Sequence, residues 1–176
     1  MKKAEITKAI LNTLDIMPDN TRIIVATDAE KEIIEEVIQA RGGEKAYEII
    51  QTGAGISNAL DTLLDLEHDR SVLNFGYAGS NQLSRSGIYT VKEVRHYHPN
   101  VDFDREEPTL MLDLAPGIDE AICYTSQDFV NDTLLKEPVL FDMELAIIAR
   151  LCRGQQVVSI KVVSDNLSLD EYNEAI

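Results

Sequence analysis

Apolar and polar residues follow two spacings along the chain, and each spacing predicts a type of element. Near the N-terminus, apolar residues recur every three or four positions, which predicts an amphipathic helix over about residues 4–16. Residues 22–26 then form a short run rich in β-branched side chains, as in the buried strands of parallel sheets. A second helix is predicted over residues 29–39, with Thr27 or Asp28 as its N-cap.

The alternation of strand and helix continues through the rest of the chain. Strands are predicted over residues 47–51, 71–75, 87–91, 94–97, 121–125 and 157–163, and helices over residues 57–66 and 142–151. Strands that alternate with helices are typical of layered α/β proteins. The sequence therefore predicts a single α/β domain over residues 1–176, in which helices flank a central, twisted, mostly parallel but mixed sheet.

Length, charge and cysteine content narrow the classes of protein and partner. The 176 residues carry a formal net charge of −15, and a chain of this length can build its core without disulfides or a structural metal. Nucleic acids and anionic membranes attract basic surfaces, so neither is expected as a partner. No apolar run approaches the roughly 20 residues of a membrane helix. The two cysteines, together with an N-terminus unlike a signal peptide, favour the cytoplasm.

Candidate chemistry lies just after the predicted strands, because ligands of open α/β sheets bind beyond the carboxyl ends of the strands. The segment from Gly53 to Asn58 begins like a dinucleotide fingerprint, but Asn58 stands where the third glycine would be. A tight strand-to-helix turn is therefore the favoured interpretation. Neither a phosphate-binding GK[ST] loop nor a GxSxG nucleophile motif occurs in the sequence.

Three carboxylates stand at or near predicted strand ends, namely Glu32, Glu144 and Asp165. Asp165 is the sharpest candidate, because it ends the most apolar strand in a Ser-Asp-Asn turn where an acid could be held against a ligand. A structural role is the alternative for two of them. Ser164 or Asp165 could cap a helix beginning near Leu167, and Glu144 could act as a favourable charge at a helix N-terminus.

Metal binding and cysteine chemistry find little support in the sequence. His96 and His98 would share one face of a strand, but no nearby histidine or cysteine completes a metal site. A structural or ring-stacking role is favoured for them, and no metal or cofactor is expected. Cys123 lies inside an apolar strand, so we expect a buried and unreactive thiol.

Six segments, taken in order, resemble the purine nucleoside phosphorylase and nucleosidase superfamily, most closely its 5′-methylthioadenosine/S-adenosylhomocysteine nucleosidase branch. They are IVATDAEKE (24–32), TGAGISNA (52–59), NFGYAGS (74–80), SQDFV (126–130), DMELAIIA (142–149) and VSDN (163–166). They are similar to that branch's "AMEEE", "GIGKVNA", "NTGSAGG", "GDAFI", "EMEATAIA" and "ISDVA" segments. Each is loose alone, but together they span most of the chain in the family's order. The resemblance implies a nucleoside phosphorylase-like fold.

The resemblance also implies a purine nucleoside site with divided roles. Asp165 takes the position of the acid that protonates N7 of the base, and Glu32 that of the carboxylate that orients and deprotonates water. Met143 and Glu144 would bind the ribose, and Phe129 would stack on the base. The other implied pocket residues are Tyr77, Ala78, Gly79 and Ser164. An acid at the leaving group and a base at the water suit the oxocarbenium-like transition state of glycosidic cleavage.

Departures from the family pattern keep alternatives open. Tyr77 replaces a serine, and its phenol is expected to fill space near the water and ribose. The family's final helix is expected to be truncated, because the chain ends soon after Asp165, and residues 99–120 show no clear helix. A non-catalytic member that binds a purine or nucleoside is therefore one alternative.

A phosphate-dependent phosphorylase is the other alternative. The phosphate-binding arginines of that class are absent from residues 27–31 and 73–75, so water is the favoured acceptor. The resemblance alone implies a homodimer. The base and the 5′ substituent stay open at this stage.

Overall fold

The computed structural model describes residues 2–42, 45–98 and 109–176. The described helices are α1 (Lys3–Ile16), α2 (Asp28–Ala40), α3 (Ile56–Leu63), α4 (Leu145–Leu151) and α5 (Leu169–Ala175). The described strands are β1 (Arg22–Val25), β2 (Ile49–Gln51), β3 (Val72–Ser80), β4 (Ile88–His96), β5 (Leu110–Met111), β6 (Asp119–Thr125), β7 (Leu140–Asp142) and β8 (Val157–Asp165). None of these helices is both long and apolar enough to cross a membrane.

The strands form a mixed and mostly parallel sheet, as predicted. β1 lies between β2 and β3 and is parallel to both. β3 is parallel to β8, β4 to β6, and β6 to β7. The antiparallel pairs are β3 with β7, β4 with β5, and β4 with β8. The predicted α/β class is therefore confirmed.

Helices cover both faces of this sheet. On one face, Ile10 of α1 and Ile34 of α2 pack with Phe75 of β3. On the other, Val72 of β3 packs with Ile148 of α4. Successive residues of a strand point to opposite faces, so β3 contributes alternately to the two layers. The central strands are consequently buried on both sides, which explains their apolar sequences.

Two central strands extend past their predicted ends. The residues after Phe75 stay in β3 as far as Ser80, and β8 continues to Asp165. A register shift after Ala78 brings Gly79 opposite Asp165. Two of the three nine-residue strands, β3 and β8, therefore end side by side, at the place where ligands of α/β proteins bind.

Other boundaries also differ from the predictions. Residues 87–91 and 94–97 were predicted as two strands but belong to one, β4, which is irregular between Val91 and Glu93. The helix predicted over residues 142–151 begins at Leu145, because Asp142 belongs to β7. Two predictions agree with the structure here: the final helix, α5, is short, and the described residues 109–120 contain no helix, only β5 and the start of β6. The part of the predicted helix-free stretch before Thr109 lies outside the described residues.

Candidate active site

The ends of β3 and β8 open into a cavity of about 270 Å³. Every predicted site residue except Glu32 lies in its wall. These residues are Tyr77, Ala78, Gly79, Phe129, Met143, Glu144, Ser164 and Asp165. The wall also contains Thr27, Glu30, Ala54, Asp128, Val130, Phe141, Asp142, Leu169 and Tyr172.

The predicted water-activating carboxylate, Glu32, lies outside this cavity. Glu32 is exposed on α2, whereas Glu30 is only 5% exposed and lines the cavity. Two residues correspond to roughly 200° around a helix of 3.6 residues per turn, so the two side chains leave α2 on nearly opposite sides. The structure therefore places Glu30, and not the predicted Glu32, at the cavity.

Backbone amides hold the Glu30 carboxylate in place. Its Oε2 accepts hydrogen bonds from the N–H groups of Ala26 (2.7 Å) and Thr27 (3.1 Å), and its Oε1 accepts one from Tyr77 N–H (3.0 Å). At the N-cap of α2, the Thr27 hydroxyl in turn accepts a hydrogen bond from Glu30 N–H. These reciprocal hydrogen bonds form a capping box. Gly76 leaves the necessary space, because a Cβ there would lie 3.0 Å from Glu30 Oε1.

A buried lysine adjoins this carboxylate. Lys161 of β8 is 3% exposed, and its Nζ lies 3.1 Å from Oδ2 of Asp142. The Cβ that Gly76 lacks would be 3.2 Å from the same Nζ, so the ammonium group and Glu30 meet over Gly76. Burial alone would lower the pKa of Lys161, but the neighbouring acidic groups, above all Asp142, raise it above its ordinary value. Lys161 therefore stays charged between carboxylates.

Asp142 joins this cluster to the start of α4. Its Oδ1 accepts a hydrogen bond from the Thr125 hydroxyl (2.5 Å), and its Oδ2 accepts one from Leu145 N–H (2.8 Å). The Thr125 hydroxyl in turn accepts a hydrogen bond from Ala146 N–H (2.9 Å). A network satisfied in this way fixes its members before any ligand enters.

Asp165 ends β8 at the cavity wall and is 1% exposed. Its Oδ2 accepts a hydrogen bond from the Ser164 hydroxyl (2.6 Å), and its Oδ1 accepts one from Leu167 N–H (3.0 Å). Gly79 stands opposite on β3, and a Cβ there would lie 2.9 Å from Asp165 Oδ1. Glycine at this position is therefore required by the close approach of the carboxylate and not by a turn.

Glu144 is the third carboxylate of the site and is 8% exposed. It accepts hydrogen bonds from the N–H groups of Met143 (3.1 Å) and Gly55. Burial, and then the charge of Asp142, raise the pKa of Glu144 to about 8. At pH 7 this side chain is mostly protonated, so it donates as well as accepts hydrogen bonds.

The glycine segment after β2 forms the predicted strand-to-helix turn. Gly53 and Gly55 have φ angles of +82° and +98°, which glycine adopts without steric cost. The Asn58 side chain closes the turn by donating to the Ala54 carbonyl (2.7 Å). Because Ala54 lines the cavity and Gly55 N–H reaches Glu144, this turn is also part of the site.

Tyr77 contributes to both the core and the cavity. Its side chain is 8% exposed and belongs to the apolar cluster beneath α1 and α2. It also lines the cavity, while its backbone N–H holds Glu30. Burial, and then the charge of Glu30, raise the pKa of Tyr77, so the phenol is neutral.

The opposite wall of the cavity comes from residues 128–130 and from α5. The rings of Phe129 and Tyr172 meet edge to face, with their centroids 6.0 Å apart. Leu169, one turn earlier on α5, also lines the cavity and is 56% exposed. No residue of α5 is buried, so this wall is held less firmly than the strand ends.

Polar contacts attach α5 to the rest of the structure. The Ser168 hydroxyl caps the helix by accepting a hydrogen bond from Glu171 N–H (3.3 Å). The predicted alternative, in which Ser164 or Asp165 caps this helix, is therefore wrong. Arg85 Nε donates to the Ser164 carbonyl (3.2 Å), and its guanidinium lies 3.9 Å from the Glu171 carboxylate.

Two further predictions concern residues outside the cavity. The rings of His96 and His98 stack, with centroids 6.3 Å apart and planes at 26°, as the ring-stacking interpretation predicted. Cys123 is fully buried, and burial raises the pKa of its thiol well above the ordinary value, as expected of an unreactive cysteine. Within the described ranges, no group of three or more His, Cys, Asp or Glu side chains has the spacing to hold a metal ion.

Besides other cavity-lining residues, the sequence analysis did not identify Glu30, Asp142 and Tyr172, which line the cavity, or Lys161, which pairs with Asp142. The spacing of Thr27 and Glu30 is that of a capping box, which marks Glu30 as a carboxylate turned back toward the strand end. Lys161 is a lone lysine inside the most apolar strand. A buried lysine needs a charged or polar partner, so its position in the sequence already indicates a buried ion pair. The other two have no distinctive pattern around them.

No protein-family model and no curated protein matches the chain. Solved structures do match it over most of its length. A 5′-methylthioadenosine/S-adenosylhomocysteine nucleosidase (MTAN) from Chlamydia trachomatis has a TM-score of 0.74 and 18% identity, with 88% of this chain and 87% of that chain covered.

Two Helicobacter pylori enzymes are similar to the same degree. An MTAN with butyl-thio-DADMe-Immucillin-A has a TM-score of 0.71 and 16% identity, with coverage of 90% of this chain and 91% of that one. A futalosine hydrolase mutant has a TM-score of 0.70 and 16% identity, with 89% of both chains covered. The chain therefore has the nucleoside phosphorylase-like fold of these nucleosidases, which confirms the fold that the sequence resemblance implied.

Proposed function

We propose that this protein hydrolyses the N-glycosidic bond of a purine nucleoside or thionucleoside. The observation that carries the proposal is the position of Asp165, which is almost fully buried at the end of β8 and shares one cavity with Glu30 and Glu144. An acid, a carboxylate for the water and a group for the sugar are the parts that glycosidic hydrolysis needs. The nucleosidases that share this fold support the same class of reaction.

The base would lie between the strand ends and Phe129. In this position Asp165 faces the purine and donates a proton to N7 as the bond breaks, so that the base leaves as a neutral molecule. The Ser164 hydroxyl and Leu167 N–H fix the orientation of the carboxyl group. Gly79 lets the base approach it closely.

The sugar would lie over Met143 and Glu144. A protonated Glu144 donates a hydrogen bond to one ribose hydroxyl and accepts one from another, without adding a further charge beside Glu30. The nearby carboxylates stabilise the positive charge that develops on the sugar in the transition state. Because the backbone holds these groups, little reorganisation is needed as the charge appears.

Glu30 would orient the attacking water and accept its proton as the water oxygen bonds to the anomeric carbon of the sugar. Its carboxylate is fixed by three backbone N–H groups, and Lys161 lies beside it over Gly76. Lys161 balances part of the negative charge and so offsets the repulsion between the nearby carboxylates of Glu30 and Asp142. In this scheme Lys161 is a positioning residue and does not touch the substrate.

The charges of the cavity favour water over phosphate as the acceptor. Among the described residues that line it, none is a lysine or an arginine, whereas five are acidic: Glu30, Asp128, Asp142, Glu144 and Asp165. Phosphate is bound in proteins by basic side chains and backbone N–H groups. Phosphorolysis is therefore the less favoured reaction.

Base release is the direct test of the proposal. The protein is incubated with methylthioadenosine, adenosylhomocysteine, adenosine or inosine, with and without phosphate, and the free base is measured by chromatography. We expect phosphate-independent release from at least one nucleoside. Release that requires phosphate would identify a phosphorylase, and no release from any of them would refute the proposed activity.

A non-catalytic purine or nucleoside-binding protein is the second candidate. It is favoured by Asp165, whose two carboxylate oxygens already accept hydrogen bonds and so have less freedom to act as a proton donor. This candidate predicts that adenine or a nucleoside binds in calorimetry while no base is released. Release of a base by wild-type protein at a rate abolished by loss of Asp165 would exclude it.

We also propose an assembly and a compartment for the protein. A homodimer is proposed from the family resemblance, and light scattering that gives a monomeric mass would overturn it. A cytoplasmic location is proposed from the cysteines, since Cys123 and Cys152 are both free and buried. Targeting of a tagged protein to the cell surface or medium would contradict this.

A further inference from the structure

Ser164 is the extra residue at the register shift between β3 and β8. Ala78 pairs with Val163 and Gly79 pairs with Asp165, so Ser164 is left between the two pairs. Consecutive residues of a regular strand point to opposite faces, yet Ser164 and Asp165 both line the cavity. A bulge re-aims side chains in this way, and this one brings a hydroxyl beside the proposed acid.

The Ser164 hydroxyl faces two acceptors but carries only one hydrogen. Its Oγ lies 2.6 Å from Asp165 Oδ2 and 3.3 Å from the Ala78 carbonyl oxygen. All three residues are almost fully buried, so little water competes for these contacts. A single O–H can point at only one of the two oxygens at a time. The hydroxyl therefore has two orientations, which differ by rotation about its C–O bond.

The charge of Asp165 decides between these orientations. A carboxylate oxygen is a stronger acceptor than a backbone carbonyl, and 2.6 Å is the separation of a charge-assisted O–H···O⁻ bond. Once Oδ2 is protonated that advantage is lost, and the hydroxyl is free to donate to Ala78. Leu167 N–H, which donates to Oδ1 (3.0 Å), has a fixed direction and cannot turn away. Oδ2 is therefore the oxygen suited to carry the transferable proton.

We propose that Ser164 is a positioning residue whose hydroxyl follows the proton of Asp165. It donates to the Ala78 carbonyl while Asp165 is protonated, and to Asp165 Oδ2 once the proton has left. In the reaction the Oδ2–H bond breaks and the N7–H bond forms, while the electron pair of the glycosidic bond stays with the base. The carboxylate left behind gains a hydrogen bond that the acid lacked. Because this bond strengthens as the charge develops, it stabilises the transition state more than the ground state.

This inference rests on the proposed function and adds a residue to its mechanism. It also bears on the non-catalytic alternative, which is favoured by the two hydrogen bonds that Asp165 already accepts. One of those two donors can be withdrawn by rotation, because the Ala78 carbonyl offers it another acceptor. The same contacts are therefore compatible with an acid that gives up its proton.

The kinetic test measures Ser164→Ala alone and in combination with Asp165→Asn. The substrate is whichever of methylthioadenosine, adenosylhomocysteine, adenosine and inosine the wild-type protein cleaves fastest. At each protein's own pH optimum, Ser164→Ala should lower kcat about tenfold, the effect of one charge-assisted hydrogen bond. KM should change little, because the hydroxyl acts through Asp165. In Asp165→Asn protein the same substitution should cost less than about twofold more, since no carboxylate forms there.

Ser159→Ala is the matched control. Ser159 is a fully buried serine of the same strand, and its hydroxyl donates to Asn74 Oδ1 on β3 (2.8 Å) without lining the cavity. This variant should keep the kcat and KM of wild-type protein, and thermal midpoints show what each substitution costs the fold. If the Ser164→Ala protein does not fold, Ser164→Cys takes its place, because a thiol is a weaker donor, and kcat should fall in the same direction.

NMR of the Asp165 carboxyl group gives a test that needs no turnover. Its carbon-13 signal, identified by its loss in Asp165→Asn, is followed against pH. In Ser164→Ala the signal should titrate about one pH unit higher than in wild-type protein, because the hydroxyl favours the ionised form. The other charged or titratable groups around Asp165 are the same in both proteins, namely Arg85, Tyr172, Glu30 and Glu144.

Four results would overturn the inference. One is an unchanged kcat in Ser164→Ala, and another is an unchanged titration of the carboxyl group. A rise in KM alone would place the hydroxyl on the substrate. A further tenfold loss in the Asp165→Asn background, or an equal loss in Ser159→Ala, would make the effect structural. If wild-type protein releases base from none of the nucleosides, the proposed activity fails separately, and the titration alone decides the role of Ser164.

Discussion

The two sides of the cavity are built in different ways. The cavity floor, formed by residues 76–80, 161–165, Glu30 and Asp142, is almost entirely buried, and its carboxylates accept hydrogen bonds from protein groups. The cavity roof, formed by residues 128–130 and α5, includes no buried residue. The floor therefore holds charged groups in fixed positions, while the roof meets the ligand with side chains that are free to adjust.

This difference separates chemistry from selectivity. Groups that stabilise a transition state act best when they are positioned beforehand, which requires support on every side. Groups that sort substrates need only contact the variable part of the ligand. We therefore expect changes in the floor to affect rate or folding strongly, and changes in the roof to affect substrate affinity with little cost in stability.

The largest effect is expected for Asp165→Asn. The variant keeps the shape of the side chain but removes the proton donor, so base release should fall at least about 100-fold, as for the loss of a general acid. Initial rates of base release measure this. Asp170→Asn, an exposed acid on α5, is the matched control and should retain full activity. An Asp165→Asn protein with wild-type rates would remove Asp165 from the mechanism.

Lys161→Met should have the largest effect on folding. It leaves Asp142 and Glu30 buried without their cation, and the loss of one partner of a buried pair typically costs about 3–5 kcal/mol. Urea unfolding measures the free energy of unfolding. Lys3→Met removes an exposed pair with Glu36 and should leave the midpoint nearly unchanged. Equal stability of the Lys161 variant and wild-type protein would contradict the picture of a charge-balanced floor.

Gly79→Ala tests the close approach between β3 and β8. The added Cβ would lie 2.9 Å from Asp165 Oδ1, so the carboxylate must move, and we expect about 1–3 kcal/mol of destabilisation with at least about tenfold lower activity. Gly117→Ala serves as control, because its φ of +75° makes alanine strained while nothing lies within 4 Å of the new Cβ. It should lose stability and keep activity.

Glu144 should make stability depend on pH. Its pKa is raised from 4.5 to about 8 by burial and by Asp142, so between these values the folded state holds a proton that the unfolded state releases. This contribution is complete below about pH 4.5 and is lost as the pH rises through about 8. Thermal midpoints should therefore fall from pH 5 to 8 more steeply in wild-type protein than in Glu144→Gln. Exposed Glu32→Gln should leave the slope unchanged.

The smallest change in stability is expected in the roof. Arg85→Ala removes the hydrogen bond to the Ser164 carbonyl and the ion pair with Glu171, both partly exposed, so the free energy of unfolding should change by no more than about 1 kcal/mol. In the proposed reaction the KM for the nucleoside should rise while kcat changes little, because α5 lines the cavity without supplying a proposed reacting group. A fall in kcat alone would assign α5 to the chemistry.

Much of the fold was predictable because each helix or strand is marked by the pattern of residues within its own segment. Apolar spacing identified α1 to α4 and six of the eight described strands in the right order, since each buried face repeats at the period of its element. The short strands β5 and β7 were not predicted. The ends of β3 and β8 were predicted too early, because Gly76 and Gly79 are typical of turns in a sequence. In the structure both glycines lie inside a strand, where carboxylates from elsewhere in the chain need the space.

The site was predictable only in part for the same reason. Asp165 stands at the end of a strand and could be identified from that position. Glu32 and Glu30 differ by two residues in a loosely matching segment, and only the rotation of α2 decides which of them faces the cavity. The pairing of Lys161 with Asp142 joins residues on two separate strands, and no local pattern records it.

The absence of buried residues in α5 also affects how fast this helix is expected to open. Local unfolding of a segment costs little when few of its side chains are buried, so the amide hydrogens of α5 should exchange with solvent far faster than those of β8. A helix that opens this readily beside the cavity is suited to let a product escape. Release of the freed base would then wait on the opening of α5, and this step would set an upper limit on turnover.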